Sequence, residues 1–131
     1  MLDGYIRYNK VVYLTQYYVI WSPKYRRQLL VGNLKERLSQ VIKQVCLEEN
    51  ATLKALEIMP DHVHLLISYS YKYPINKLVK ALKGRSSNLL RKEFPELLKM
   101  PTLWTRSLFV CTVGQISEET IKEYIESQWA R

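Results

Sequence analysis

No apolar run in the chain approaches the roughly 18 residues that a membrane-spanning helix needs, so nothing in it is expected to cross a bilayer. A basic leader followed by an apolar core is missing at the N-terminus, and secretion is not expected. Cysteine occurs only at Cys46 and Cys111. That makes neither a disulfide framework nor a metal-ligand spacing, and it suits a reducing, cytoplasmic setting. Repeats, low-complexity tracts and flexible linkers are absent, so the 131 residues are read as one domain, 1–131. Acidic residues are the minority, 12 against 20 Lys and Arg, which leaves a formal charge of +8. At 47% hydrophobic residues the chain is no disordered basic arm. A basic folded domain of this kind points to a polyanion partner, most simply nucleic acid.

The positive charge is local. One cluster is Lys24, Arg26 and Arg27, just after Pro23. Another runs through Lys72, Lys77, Lys80, Lys83, Arg85, Arg91, Lys92, Lys99 and Arg106, interrupted only by Glu93 and Glu96. The segment after Ser117 is acidic.

Residues 11–22 are rich in Val, Tyr and Ile and predict a long strand ended by Pro23. Asn33, with Glu36 three residues on, predicts a helix start, and Leu34, Leu38, Val41, Ile42 and Val45 recur at helical spacing. Residues 53–59 and 62–69 predict two strands joined at Pro60-Asp61 as a hairpin. Pro74 opens a second helix with Ile75, Leu78, Val79 and Leu82 on its apolar side, and Gly84 is a candidate weak point. An irregular connection over 94–103, a strand over 107–113 and a final helix capped by Ser117 complete the order. The fold class is α+β: a ferredoxin-like β-α-β-β-α-β antiparallel sheet with an additional C-terminal helix.

Both histidines of the chain lie on one predicted strand, at 62 and 64. Residues i and i+2 of a strand point to the same side, so the two imidazoles project together as a half-site for a divalent metal. Spacing alone selects no third ligand; Asp61 is adjacent but would point away if the strand already included it. On the last helix, Tyr124 and Gln128 are four apart and share a face. A phenol with a pKa of about 10 is a weak nucleophile unless a cation or metal lies near it.

These residues together carry a resemblance. Residues 19–27 (VIWSPKYRR), 59–66 (MPDHVHLL), 83–87 (KGRSS) and 112–114 (TVG), leading into 121–128, occur in the order seen in single-tyrosine transposases of the HUH (His, hydrophobic, His) endonuclease superfamily, the insertion-sequence 200/605 class. The chain resembles that family over nearly its whole length. The resemblance implies that His62, His64 and Gln128 bind a divalent metal, Mg or Mn, and that Tyr124 is the nucleophile. It implies a hinge at Gly114 and a homodimer whose sites form in trans. The implied reaction is cleavage and rejoining of single-stranded DNA bearing hairpin ends, through a 5′-phosphotyrosine intermediate. Lys24, Arg26, Arg27, Lys83 and Arg85 are the candidate DNA contacts, and Tyr25 or Trp104 could stack on bases. Two other readings stay open: a domesticated relative acting on host palindromic repeats, and a ferredoxin-like module that binds nucleic acid without cutting it.

Overall fold

The computed structural model describes residues 7–8, 11–12, 14–113 and 123. Strands β1 (Arg7–Tyr8) and β2 (Val11–Val12) pair antiparallel as a small separate ribbon. The chain then enters β3 (Leu14–Trp21), which belongs to the main sheet. The single strand expected over 11–22 is therefore two, because the chain changes sheets between Val12 and Leu14.

Pro23, which has no N–H to offer a ladder, ends β3. A 3₁₀ turn follows over Lys24–Arg26. Helix α1 (Gly32–Glu48) begins one residue before Asn33, with Val31 at its N-cap and no side-chain cap bond. Asn33 is thus not the cap; Gly32, at φ 59°, turns the chain into the helix in the left-handed region glycine tolerates. Leu34, Leu38, Val41, Ile42 and Val45 are buried along it, as their spacing predicts.

Strands β4 (Thr52–Met59) and β5 (His62–Ser70) form the expected hairpin across Pro60-Asp61, with Met59 opposite His62 and Glu57 opposite His64. Helix α2 (Ile75–Glu93) runs without a break through Gly84. A 3₁₀ turn over Pro95–Lys99 and strand β6 (Phe109–Thr112) follow. Glu123 is helical; the hinge candidate Gly114 and the site candidates Tyr124 and Gln128 lie outside the described residues.

The four-stranded sheet is antiparallel in the order β4-β5-β3-β6. Counted along the chain, that is second, third, first, fourth: the ferredoxin-like arrangement, with two helices packed on the sheet. Alternation decides which residues meet them. Val19, Trp21, Val63, Leu65, Ile67 and Tyr69 face the helices and join one core with Leu38, Ile42, Leu78 and Leu82. Each fully buried side chain of this size contributes about 1.5–3 kcal/mol. The residues between them, Tyr18, Ile20 and Leu66, point to the opposite face and form a second apolar cluster with Phe109, Cys111 and Val113. His62 and His64 share that second face by register with Ile20 and Leu66. Among the described residues no helix is long and apolar enough to cross a membrane.

Candidate active site

The two imidazoles project from one face of β5 with ring centroids 5.4 Å apart and planes tilted by 59°. His62 sits at the strand's first position and is partly exposed, while His64, one pleat further in, is 4% exposed. A histidine nitrogen binds zinc at about 2.0–2.1 Å, and the ring separation is compatible with a shared ion.

Three carboxylate and guanidinium contacts hold the pair. Asp61 belongs to the hairpin turn rather than to the strand, and its Oδ1 turns back to lie 2.8 Å from His62 Nδ1. A partner on one ring nitrogen is the arrangement that fixes tautomer and ring orientation in metal-binding histidines. The other oxygen of Asp61 accepts from the Arg26 guanidinium at 2.8 Å. Partial burial pushes the Asp61 carboxyl up, but hydrogen bonds to His62 and Arg26 outweigh it and hold the group below the usual carboxylate range. Across the hairpin, Glu57 Oε1 lies 3.3 Å from His64 Nε2. A cavity of about 80 Å³ opens beside His64 between Tyr18, Ala55, Glu57 and Leu66.

Glu57 was not singled out from the sequence, although the signal was there. A two-residue turn at Pro60-Asp61 forces Met59 opposite His62, and so Glu57 opposite His64. Among the described residues no group of three or more His, Cys, Asp or Glu could hold a metal. They present two imidazoles on one sheet face, donors of a kind that divalent ions accept.

The basic candidates fall into two kinds. Lys24, Tyr25, Arg26 and Arg27 form a projecting turn. Tyr25 and Arg26 both sit in the left-handed region, at φ 60° and 51°, which costs a non-glycine residue about 1–2 kcal/mol. The turn is held at both ends: Lys24 N donates to Leu103 O, Arg26 N to Pro23 O, and Thr105 N to Ser22 O. Tyr25 is 77% exposed, with Lys24 Nζ 5.5 Å and Arg27 Cζ 5.9 Å from its ring centre.

Lys83 and Arg85 are placed otherwise. Lys83 is half-buried and its ammonium donates to Thr105 O at 2.7 Å; burial lowers its pKa. Arg85 pairs with Glu48 of α1, and the hydrogen bond to Glu48 raises its pKa. Ser86, fully buried, accepts from Trp104 Nε1 at 3.0 Å and donates to Lys83 O. Trp104 is 7% exposed and meets Trp21 edge to face at 5.9 Å. It is a core residue, not a stacking platform, because its ring is buried and offers no open face to a base.

The structure thus gives a four-stranded ferredoxin-like sheet with paired imidazoles near a basic turn, and comparison with known proteins gives the family. Residues 11–128 match the family described as transposase IS200 like, and the chain belongs to that family. It is 37% identical over 120 residues to the ISDra2 transposase TnpA of Deinococcus radiodurans, covering 89% of this chain and 86% of that protein. It is 29% identical over 116 residues to the transposase for insertion sequence element IS200 of Salmonella typhimurium, covering 86% and 76%. A crystal structure of a candidate transposase from Deinococcus radiodurans superposes with a TM-score of 0.80 at 37% identity, covering 94% and 97% of the two chains. A REP-associated tyrosine transposase bound to a REP hairpin shares the fold alone, at 13% identity and a TM-score of 0.58. The chain is thus a transposase of the IS200-like family, an enzyme class that cuts and transfers DNA strands.

Proposed function

We propose that this transposase cleaves and rejoins single-stranded DNA at hairpin-bearing ends through a 5′-phosphotyrosine on Tyr124. The observation that carries the reading is the presentation of His62 and His64 on one sheet face, with His62 Nδ1 pinned by Asp61. Membership of the IS200-like family supports the rest of the reading.

His62 and His64, with Gln128, would hold a divalent ion, Mg or Mn. Bound there, the ion would supply Lewis-acid stabilisation of charge on the scissile phosphate. The Tyr124 oxygen attacks the phosphorus, the bond to the 3′ oxygen breaks, and the DNA 3′-hydroxyl leaves. One phosphodiester replaces another, so no nucleotide hydrolysis is needed. Rejoining reverses the exchange: a 3′-hydroxyl attacks the phosphotyrosine and the phenol leaves. Asp61 keeps His62 in the tautomer protonated on Nδ1, which leaves Nε2 to bind the ion. Lys24, Arg26 and Arg27 hold the strand by its backbone. The acting unit is a homodimer with sites in trans, and Gly114 is the hinge that lets the tyrosine segment reach the partner.

The test is a covalent adduct on a denaturing gel after incubation of labelled hairpin-bearing single strands with manganese. Wild-type protein should form it, Tyr124→Phe should not, and His62→Ala should abolish it while sparing DNA binding. Mixing the two variants should restore it in the mixed dimer. An adduct that survives Tyr124→Phe would overturn the nucleophile, and no adduct under any divalent metal would overturn the reaction.

A further inference from the structure

The Tyr25 turn has a use that phosphate binding alone does not explain. A backbone contact needs only cations, yet here a tyrosine ring stands at the tip of the basic turn, 77% open to solvent. Two consecutive non-glycine residues, Tyr25 and Arg26, hold left-handed backbone to put it there. Such outliers persist where surrounding structure over-determines them, and they cluster at ligand sites. Here Pro23 is bridged to the buried Trp104, and Lys24 N and Ser22 O are bonded to the 103–105 segment. Lys83 fixes that segment in turn through Thr105 O.

Beside the ring is a cavity of about 340 Å³, bounded by Lys24, Tyr25 and Arg26 on one side and by Thr105 and Ser107 on the other. Its walls combine one aromatic face, hydroxyl groups and cations. That combination fits a nucleotide whose base has left its stack: the ring takes the base, and the cations take its phosphates. Lys24 and Arg27 now lie within 6 Å of the ring centre, and both are long side chains that can exchange the ring for a phosphate. A duplex offers no free base face at this turn, so the fit is to a single strand. The link to the chemistry is short: Arg26, next in the chain, holds Asp61, and Asp61 holds His62.

We propose that Tyr25 and the cavity between the 22–26 turn and the 105–107 segment form a subsite for one unstacked nucleotide of the DNA strand, its base stacked on the Tyr25 ring. The inference rests on the single-stranded DNA reading above and adds a residue and a pocket to it.

The experiment compares binding of a short oligothymidylate with binding of an equally long oligomer of abasic sites, by fluorescence anisotropy, for wild type, Tyr25→Phe and Tyr25→Ala. Tyr25→Ala should weaken oligothymidylate binding about ten-fold, as expected for loss of one base–aromatic stack, and leave the abasic oligomer unchanged. Tyr25→Phe should behave as wild type on both. Equal loss on the two oligomers, no loss on oligothymidylate, or loss in Tyr25→Phe as large as in Tyr25→Ala would each overturn the subsite. Thermal melting should be the same for all three proteins, since the ring is exposed; a lowered melting point in Tyr25→Ala would show a structural role instead. The covalent adduct separates this idea from the larger one. Base-dependent binding without an adduct would leave the subsite and remove the strand-transfer reaction, whereas an adduct with base-independent binding would do the reverse.

Discussion

Two basic regions of this protein have similar composition and opposite placement. The turn at 24–27 carries its charges at the tip of a strained, projecting loop around an exposed ring. Helix α2 carries more charge but ties much of it to acceptors of the protein itself. Lys83 is tied to Thr105, Arg85 to Glu48, and Arg91 donates to Pro101 O. Lys77 lies 3.7 Å from Glu49 and 4.6 Å from the centre of the Tyr73 ring. The helix uses its cations to fasten itself to α1 and to the segment before β6, and that segment in turn supports the turn at 24–27. Net charge does not separate the two regions; their partners do, since the helix cations are held by the protein's own acceptors while Lys24 and Arg27 stand around an exposed ring.

The largest effect should come from cutting the support between them. Trp104→Ala removes a buried indole packed on Trp21 and the bond to Ser86, and should cost about 3–5 kcal/mol in chemical denaturation. A loss under 1 kcal/mol would mean that the 103–105 segment does not depend on this packing. Lys83→Met keeps the apolar stem but leaves Thr105 O without its donor. It should cost about 1–2 kcal/mol by the same measurement, with DNA affinity falling only as far as the turn loosens.

A smaller effect is expected from acid. The Asp61 carboxyl is held below its ordinary value of 3.8 in the folded protein. Its contribution to stability is therefore present above that value and lost as pH falls through the lowered one. In Asp61→Asn the stability curve should be shallower on the acid side than in wild type. Parallel curves would show that the Arg26–Asp61–His62 chain adds nothing to the fold.

Much of this arrangement was legible in residue order. The element order from β3 to β6, the hairpin at Pro60-Asp61 and the shared face of His62 and His64 follow from local patterns that tertiary packing left intact. The start of α1 at Gly32 rather than Asn33 was not, because Gly32 turns the chain into the helix a residue earlier than the Asn33–Glu36 spacing implies. The internal partners of Lys83 and Arg85 were hidden for another reason. A lysine on a helix looks the same in sequence whether it faces a phosphate or a carbonyl contributed by residue 105. Tyr25 is the sharpest case, since nothing in Lys-Tyr-Arg-Arg announces left-handed backbone; the turn is held through Leu103 and Trp104, contacts distant in sequence. Tyr124 and Gln128 lie outside the described residues, and their roles rest on the family.

The division of labour between the two basic regions is tested most directly by the salt dependence of single-stranded DNA binding. Lys24→Gln/Arg27→Gln protein and Lys83→Met/Arg85→Gln protein would be compared with wild type, with melting temperatures measured alongside. Each phosphate contact contributes roughly 0.7 to the slope of log affinity against log salt for a single strand. The turn variant should therefore lose about 1.4 of slope and keep its melting temperature, while the helix variant should keep its slope and melt lower. A helix variant that loses slope without melting earlier, beside a turn variant that binds as wild type does, would contradict the account.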